Sequence, residues 1–131
     1  MLLQIHPDNP QPRLIKQVVE CLQDGGVIVY PTDTIYGLGC DIMQQKAVER
    51  ICTIKNVDPR KAQLSFICSD LSHLSDYTKS IDTPLYRTLK QYLPGPYTFI
   101  LPSSKLVPKF CKIKKQLLVC VCLIILFAIK F

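Results

Sequence analysis

The sequence predicts an α/β domain in which helices lie on the faces of an open, twisted sheet. Segments with the apolar periodicity of a helix alternate along the chain with short apolar runs that are typical of buried strands. Glycine and proline residues separate most of these segments, as they commonly do between regular elements. At 131 residues the chain has room for one domain of this kind.

The N-terminal part predicts a helix, a strand and a second helix. The first helix starts at Pro12, a residue favoured in a first helical turn, and stops at the glycine pair 25–26. The apolar run Val27–Tyr30 then has the length of a buried strand. The second helix is expected from about Gln44 to about Lys55, because its apolar residues recur on one helical face.

The next segments continue the alternation. Leu64–Cys68 is expected to form a strand, and residues 69–74 are expected to form a cap and a short helix. A further helix is expected to start at Thr83-Pro84 and to stop before the Pro-Gly-Pro segment 94–96. Tyr97–Leu101 then has the pattern of another strand.

The segment between the first strand and the second helix, residues 31–41, reads Pro-Thr-Asp-Thr-Ile-Tyr-Gly-Leu-Gly-Cys-Asp. It places two hydroxyls, a carboxylate and a phenol on a short loop after a buried strand, where α/β proteins hold ligands. Gly37 and Gly39 are expected to allow positive φ and the close approach of a ligand to the backbone. Asp33 is expected to stabilise the turn rather than to hold a metal ion.

The net charge of +6 is unevenly distributed along the chain. Residues 83–131 contain eight lysine and arginine residues and no aspartate or glutamate. This basic part is compatible with binding to nucleic acid or to nucleotide phosphates, although a basic segment alone is more often a solvated surface. No aromatic stacking platform for single-stranded RNA is predicted.

The cysteines and the termini predict a cytoplasmic protein. Seven cysteines occur without a Cys-x-x-Cys motif, which indicates reduced thiols and no metal site. The N-terminus lacks the pattern of a secretory signal. Leu117–Ile129 is a run of thirteen uncharged residues, shorter than the roughly 20 residues of a membrane-spanning helix, so no membrane partner is expected.

The Pro-Thr-Asp-Thr-x-Tyr-Gly-Leu-Gly-x-Asp pattern resembles the signature of the Sua5/YciO/YrdC family. A second similar segment, Leu93–Leu101, follows in the right order, and the resemblance covers roughly Gln11 to Lys115. It implies a YrdC-like open mixed sheet whose C-terminal part is missing here. Family members make threonylcarbamoyl-AMP from threonine, bicarbonate and ATP for the modification of tRNA, and some bind double-stranded RNA.

The resemblance implies a set of site residues. Lys55 would be the catalytic contact to the phosphates, with ATP bound as a substrate together with Mg²⁺ and no prosthetic group. The resemblance also implies that Thr32, Thr34, Tyr36 and Thr98 bind substrate. Arg60 and Lys61, in the loop after Lys55, are further candidates for phosphate contacts that the resemblance does not itself imply. Val57 stands where the family carries an arginine, which places the chain near the YciO-like branch.

Each implied residue also has an ordinary structural explanation. Thr32 and Thr34 are residue types that form hydroxyl turns, and Tyr36 is compatible with the core. Lys55 is a favourable cation at a helix C-terminus, and Thr98 fits the polar face of a strand.

The C-terminal residues depart from the family pattern. Residues 1–115 are therefore predicted as a partial YrdC-like domain and 116–131 as an apolar tail, produced by a frameshift or truncation near Gln116 or forming a buried strand. Deletion of 117–131 is expected to leave the helix and strand content unchanged. The chain is expected to have weak or no synthase activity, the alternatives being a double-stranded RNA-binding module without catalysis and a defective fragment.

Overall fold

Residues 1–32, 34–111 and the backbone of 117–121 are described by a computed structural model of the chain. The helices in this part are α1 (Pro12–Gln23), α2 (Gln45–Ile54), α3 (Leu71–Tyr77) and α4 (Thr83–Tyr92). The strands are β1 (Ile28–Pro31), β2 (Tyr36–Gly39), β3 (Ser65–Ile67), β4 (Phe99–Pro102) and β5 (Leu117–Val121), and a 3₁₀ turn spans Lys109–Cys111. The order of helices and strands predicted from the sequence is confirmed, with β2 and β5 as additional strands.

The first two helices end in the same hydrogen-bonded motif. After α1, Gly25 has a φ of +77°, and the N–H of Gly26 donates to the carbonyl oxygen of Cys21 at 2.8 Å. The glycine stop predicted for this helix is therefore confirmed. After α2 the left-handed position is taken by Asn56, with a φ of +53°, which leaves Lys55 as the C-cap residue.

Aspartate side chains cap the next two helices. The Asp70 carboxylate accepts a hydrogen bond from the N–H of His73 at 2.7 Å, which lowers the pKa of Asp70. The Asp82 carboxylate accepts one from the N–H of Leu85 at 2.9 Å. Both caps satisfy helix N–H groups that lack a partner within the helix.

The strands form two sheets. β1 and β2 form an antiparallel hairpin, and the second sheet has the strand order β3-β5-β4. Its middle strand, β5, runs parallel to β3 and antiparallel to β4. The predicted α/β class with a mixed sheet is thus confirmed, and the strands are divided between two sheets rather than joined in one.

Two groups of buried side chains form the core. The first joins β4 to α3 and α4 and consists of Cys68, Leu74, Leu89, Leu93 and Leu101. The second joins β3 to α2 and consists of Val48, Phe66, Val107 and Cys111. Phe66 and Phe99 share the register partner Cys120 on β5, and Leu101 follows two residues after Phe99. Since side chains alternate along a strand, both groups lie on the same face of the sheet.

The first residues of the predicted tail belong to this sheet. Leu117–Val121 forms β5, the strand that joins β3 to β4. A strand was one of the possibilities that the sequence left open for this segment, and Leu117–Val121 forms one. A change of frame near Gln116 stays a prediction, and residues 122–131 lie outside the described residues. Within the described part, no helix is long and apolar enough to cross a membrane.

Candidate substrate site on the hairpin

The segment predicted as a ligand-binding loop is a β-hairpin. Pro31 at the end of β1 pairs with Tyr36 at the start of β2, and residues 32–35 connect them. The N–H of Thr32 donates to the carbonyl oxygen of Ile35 at 3.1 Å and closes this connection. The loop prediction was therefore wrong beyond Ile35, because Tyr36–Gly39 returns along β1. Asp33, for which a turn role was predicted, lies outside the described residues.

The hydroxyl of Thr32 is fully used within the turn. It accepts hydrogen bonds from the N–H groups of Thr34 and Ile35, both at 3.2 Å, and donates to the carbonyl oxygen of Ile35. A hydroxyl has one proton to donate and two lone pairs to accept. Thr32 therefore forms a hydroxyl turn, and a contact of its hydroxyl with substrate stays a prediction.

Thr34 and Tyr36 are free to meet a ligand. The Thr34 side chain is exposed, and its hydroxyl oxygen lies 3.5 Å from that of Thr32, at the outer limit of a hydrogen bond. Tyr36 is 74% exposed, which excludes the alternative that it belongs to the core. Together they present a hydroxyl and a phenol to solvent at the end of the hairpin.

The two glycines of β2 make room for an aromatic ring. Tyr30 pairs with Gly37, and a Cβ atom added to Gly37 would lie 2.9 Å from the Cζ atom of Tyr30. A Cβ atom added to Gly39 would lie 2.8 Å from the Cε1 atom of the same ring. Gly25 is the glycine with positive φ in the described residues, so the prediction of positive φ at Gly37 and Gly39 was wrong. Burial of the ring raises the pKa of Tyr30.

The end of β2 packs against α2, the helix that carries Lys55. Cys40 follows β2 and contacts the core group that contains Val48 of α2. Burial, together with the neighbouring Asp41 and Cys52, raises the pKa of the Cys40 thiol to about 11. Lys55 follows Cys52 by about one helical turn.

The predicted phosphate contacts are three exposed cations at the C-terminal end of α2 and in the segment that follows it. Lys55 is the C-cap residue, and Arg60 and Lys61 follow in a turn closed by Asp58, whose carboxylate accepts a hydrogen bond from the N–H of Arg60 at 2.9 Å. None of these cations makes an ion pair or side-chain hydrogen bond with another described residue. Their charges are therefore available for a phosphate.

Thr98 is exposed and directly precedes β4. No hydrogen bond or ion pair between described residues joins Thr98 or the three cations to the hairpin. A common pocket for these residues therefore stays a prediction. In the described part of the chain, no three carboxylate, thiol or imidazole groups are placed to hold a metal ion.

Two features near the Pro-Gly-Pro segment were missed in the sequence. A cavity of about 340 Å³ is lined by Ser69, Asp70, Leu71, Ser72, Tyr86, Leu93 and Pro94, and it contains none of the predicted site residues. The carboxylate in this cavity belongs to Asp70, which already caps α3.

Tyr92 and Tyr97 form an edge-to-face pair, with ring centres 5.2 Å apart, and both are more than 40% exposed. Sequence spacing gave no signal for this pair, because the turn at residues 94–96 brings the rings together.

The hairpin signature lies within a family match. The Sua5/YciO/YrdC family, described as "Telomere recombination", matches residues 20–122. The chain belongs to this family. The match extends past Lys115, where the resemblance was expected to end, and includes β5.

Two relatives place the chain within the family. The uncharacterized protein YciO of Escherichia coli (strain K12) is 51% identical over 105 residues, which are 80% of this chain and 50% of YciO. Its crystal structure superposes with a TM-score of 0.85 over 95% of this chain and 61% of that chain. A threonylcarbamoyl-AMP synthase of Chromobacterium violaceum is 38% identical over 102 residues, 78% of this chain and 52% of the synthase.

A third relative shows the fold alone. P. abyssi Sua5 complexed with L-threonine has a TM-score of 0.83 at 24% identity, over 92% of this chain and 36% of that chain. The chain thus spans about half the length of the curated relatives it matches.

Proposed function

We propose that this chain carries part of the active site of a threonylcarbamoyl-AMP synthase. The enzyme class converts threonine, bicarbonate and ATP to threonylcarbamoyl-AMP and pyrophosphate for the threonylcarbamoyl modification of tRNA. The observation that carries the proposal is the hairpin with its exposed Thr34 and Tyr36, inside a family match and in a chain 38% identical to a named synthase. The 131-residue chain alone is proposed to have weak or no turnover.

The reaction needs two kinds of protein group. The amine of threonine attacks bicarbonate to form a carbamate and release water, and a carbamate oxygen then attacks the α-phosphate of ATP and expels pyrophosphate. Positioned donors and acceptors must orient the amino acid, a role that suits Thr34 and Tyr36. Cations must compensate the phosphate charge, a role that suits Lys55, with Mg²⁺ accompanying the phosphates.

The chain lacks some of the groups that the family resemblance implies. Val57 replaces the arginine that would share the phosphate charge with Lys55, and no other described residue pairs with this lysine. Arg60 and Lys61 are exposed nearby in sequence and are the proposed substitutes. Because each positioned charge commonly contributes about a hundredfold in rate, one lysine does not replace a complete phosphate site.

We expect the purified 131-residue chain to release no pyrophosphate above background. The assay contains ATP, Mg²⁺, bicarbonate and L-threonine, and the C. violaceum synthase serves as the active control. A second series omits threonine, so that unspecific ATP hydrolysis is subtracted. Threonine-dependent turnover within about tenfold of the control enzyme would contradict the expectation, since it would mean that the phosphate site is complete.

Thr34 and Thr32 are expected to respond differently to the same substitution. Thr34→Val should weaken L-threonine binding about tenfold with little change of stability, because the hydroxyl is exposed and its one protein contact lies at the outer limit of a hydrogen bond. Thr32→Val should lower the melting temperature, because two N–H groups of the turn lose their acceptor and the carbonyl oxygen of Ile35 loses one of its two donors.

The measurement combines calorimetric titration with L-threonine and thermal unfolding followed by circular dichroism. Thr32→Ser keeps the hydroxyl and serves as the matched control, for which both values should stay near those of the unmodified chain. Equal threonine affinity in the Thr34→Val variant and the unmodified chain would remove Thr34 from the proposed site.

Lys55→Ala is expected to weaken ATP binding about tenfold, because an ammonium group without a protein partner is available to the phosphates. Lys46→Ala is the control, since Lys46 is an exposed lysine at the other end of the same helix. Binding of a fluorescent ATP analogue in the presence of Mg²⁺ measures both variants. Equal losses in the two variants would indicate unspecific attraction between ATP and a basic chain.

The second candidate function is binding of double-stranded RNA without catalysis. The observation that favours it is the exposed basic surface of residues 83–111, with Arg87 and Lys90 on α4 and no acidic residue. Binding of a short RNA duplex that weakens steeply with salt, and that persists in the Thr34→Val variant, would support this candidate.

The proposed compartment for either function is the cytoplasm, in agreement with the free thiols of Cys21, Cys40, Cys52 and Cys111.

A further inference from the structure

The cavity between α3 and α4 lies apart from the groups that the proposed functions use. One side consists of residues 69–72 at the start of α3, and the other consists of Tyr86, Leu93 and Pro94 on and after α4. Its volume of about 340 Å³ lies within the range of roughly 300–1,000 Å³ that is usual for small-molecule sites. Neither the hairpin nor Lys55 nor Thr98 lines it, so a ligand bound here occupies a second site.

The apolar side of the cavity is fixed by the first core group. Leu93 is a member of this group and is 7% exposed, and Leu71 packs against the same group. Pro94 follows Leu93 directly and continues the apolar surface. Tyr86 is 44% exposed, so it borders the cavity without being taken into the core. Because the core holds Leu71 and Leu93 in place, this surface is formed before a ligand arrives.

The charge in the cavity is the Asp70 carboxylate, which is held in position by hydrogen bonds. Its Oδ1 atom accepts from the N–H of His73 at 2.7 Å, and its Oδ2 atom accepts from the Ser69 hydroxyl at 3.4 Å. These bonds help to lower the pKa of Asp70, so the carboxylate is ionised at neutral pH. A carboxylate has about four lone pairs, so acceptor positions remain for a ligand. No lysine or arginine is among the described residues that line the cavity.

Two hydroxyls of the cavity have no protein partner in the described part of the chain. The carbonyl oxygen of Ser72 accepts from the Ser75 hydroxyl, but the Ser72 hydroxyl itself makes no hydrogen bond with a described residue. The same holds for the phenol of Tyr86. Each hydroxyl can accept a hydrogen bond from a ligand. The cavity thus combines an apolar surface with three acceptor groups, one of which carries a full negative charge.

We propose that this cavity binds a small organic cation, in which a primary ammonium group is attached to an apolar or aromatic body. The ammonium group has three N–H donors, for which Asp70, Ser72 and Tyr86 provide acceptors. The body packs against Leu71 and Leu93. The volume corresponds to about eleven water molecules at their liquid share of about 30 Å³, so a ligand of about ten non-hydrogen atoms fits. This inference does not depend on the proposed catalytic function.

Other classes of ligand fit the cavity less well. An anion would meet the Asp70 carboxylate without a counter-charge in the described lining. A neutral alcohol keeps the apolar contact but loses the charge-assisted hydrogen bond, which is about twice as strong as a neutral one. A metal ion would leave the apolar surface uncovered, and no three carboxylate, thiol or imidazole groups of the described residues are placed to hold one.

The test titrates the isotope-labelled 131-residue chain with phenethylamine, a phenyl ring on a short chain that ends in an ammonium group. Two-dimensional amide NMR is expected to show saturable shifts, largest at residues 69–72 and around Tyr86 and Leu93, with a dissociation constant of about 1 mM. Phenethyl alcohol has the same shape without the charge and should bind at least about fivefold more weakly. No saturation up to about 20 mM, equal affinity of the alcohol, or largest shifts elsewhere would overturn the proposal.

Matched variants test the role of the carboxylate. Asp70→Asn removes the charge and keeps the helix cap, because asparagine caps helices about as well as aspartate. It should weaken phenethylamine binding at least about tenfold. Asp82→Asn makes the same change at the exposed cap of α4, outside the cavity, and should change binding less than about twofold.

A third variant tests the location without a change at a cap residue. Ser72→Ala removes one of the two free hydroxyls and should weaken phenethylamine binding about threefold. Circular dichroism verifies that all three variants are folded. Unchanged affinity in both Asp70→Asn and Ser72→Ala would overturn the proposal. Equal losses in Asp70→Asn and Asp82→Asn would also overturn it, because they would indicate unspecific attraction of the cation to exposed carboxylates.

Discussion

Deletion of residues 117–131 is expected to abolish the three-stranded sheet. β5 forms all the strand pairs of this sheet, from Ser65 to Ile67 on one side and from Phe99 to Pro102 on the other. β3 and β4 are not paired with each other, so removal of the middle strand leaves two isolated strands. Isolated strands are not stable in water, and Phe66 and Leu101 would lose the sheet that holds them in the core.

The measurement is far-ultraviolet circular dichroism together with thermal unfolding, compared among three chains. The control deletion removes only 122–131 and keeps β5. We expect cooperative unfolding in the full chain and in the control, and its loss in the longer deletion. Native-like spectra and melting after the longer deletion would instead support the sequence-based expectation that the tail does not contribute to the fold.

The sequence was sufficient for the helices because their signals are local. Periodicity, Pro12, the glycine pair 25–26, the cap at Asp70 and the Thr83-Pro84 start each act within a few residues of the helix end that they determine. The position of β5 could not be derived in the same way. Its partners lie about 50 residues away at β3 and about 20 at β4, and an uncharged run carries no signal for either.

The candidate site shows the same division between local and distant information. The signature located the hairpin residues, and the alternative role of a hydroxyl turn was already visible for Thr32 in its residue type. The return of the chain at Tyr36 was hidden because glycine-rich segments have low strand propensity. The relation of Lys55 and Thr98 to the hairpin depends on tertiary packing, so it stays a prediction that mutagenesis can test.

Gly37→Ala and Gly39→Ala are each expected to lower the free energy of unfolding by about 1–3 kcal/mol, the usual cost of forcing an extra group into a packed site. The added Cβ atoms would lie 2.9 Å and 2.8 Å from the ring of Tyr30, closer than carbon atoms approach without displacement. The ring contacts both positions, so the double variant should displace it from the hairpin altogether. The spacing Gly-x-Gly is thus explained by a cross-strand aromatic contact rather than by backbone conformation.

Tyr30→Ala provides the matched background for this prediction. Without the ring, the same two substitutions should become neutral or slightly stabilising, since glycine within a strand costs about 0.5–1 kcal/mol relative to alanine. Chemical unfolding of the four chains in each double-mutant cycle gives the coupling free energy between Tyr30 and each glycine. Losses of equal size with and without the ring would mean that Gly37 and Gly39 are required for another reason, such as the approach of a ligand to the backbone. A coupling of more than about 1 kcal/mol would instead establish that the ring, the two glycines and the turn that presents Thr34 form one structural unit.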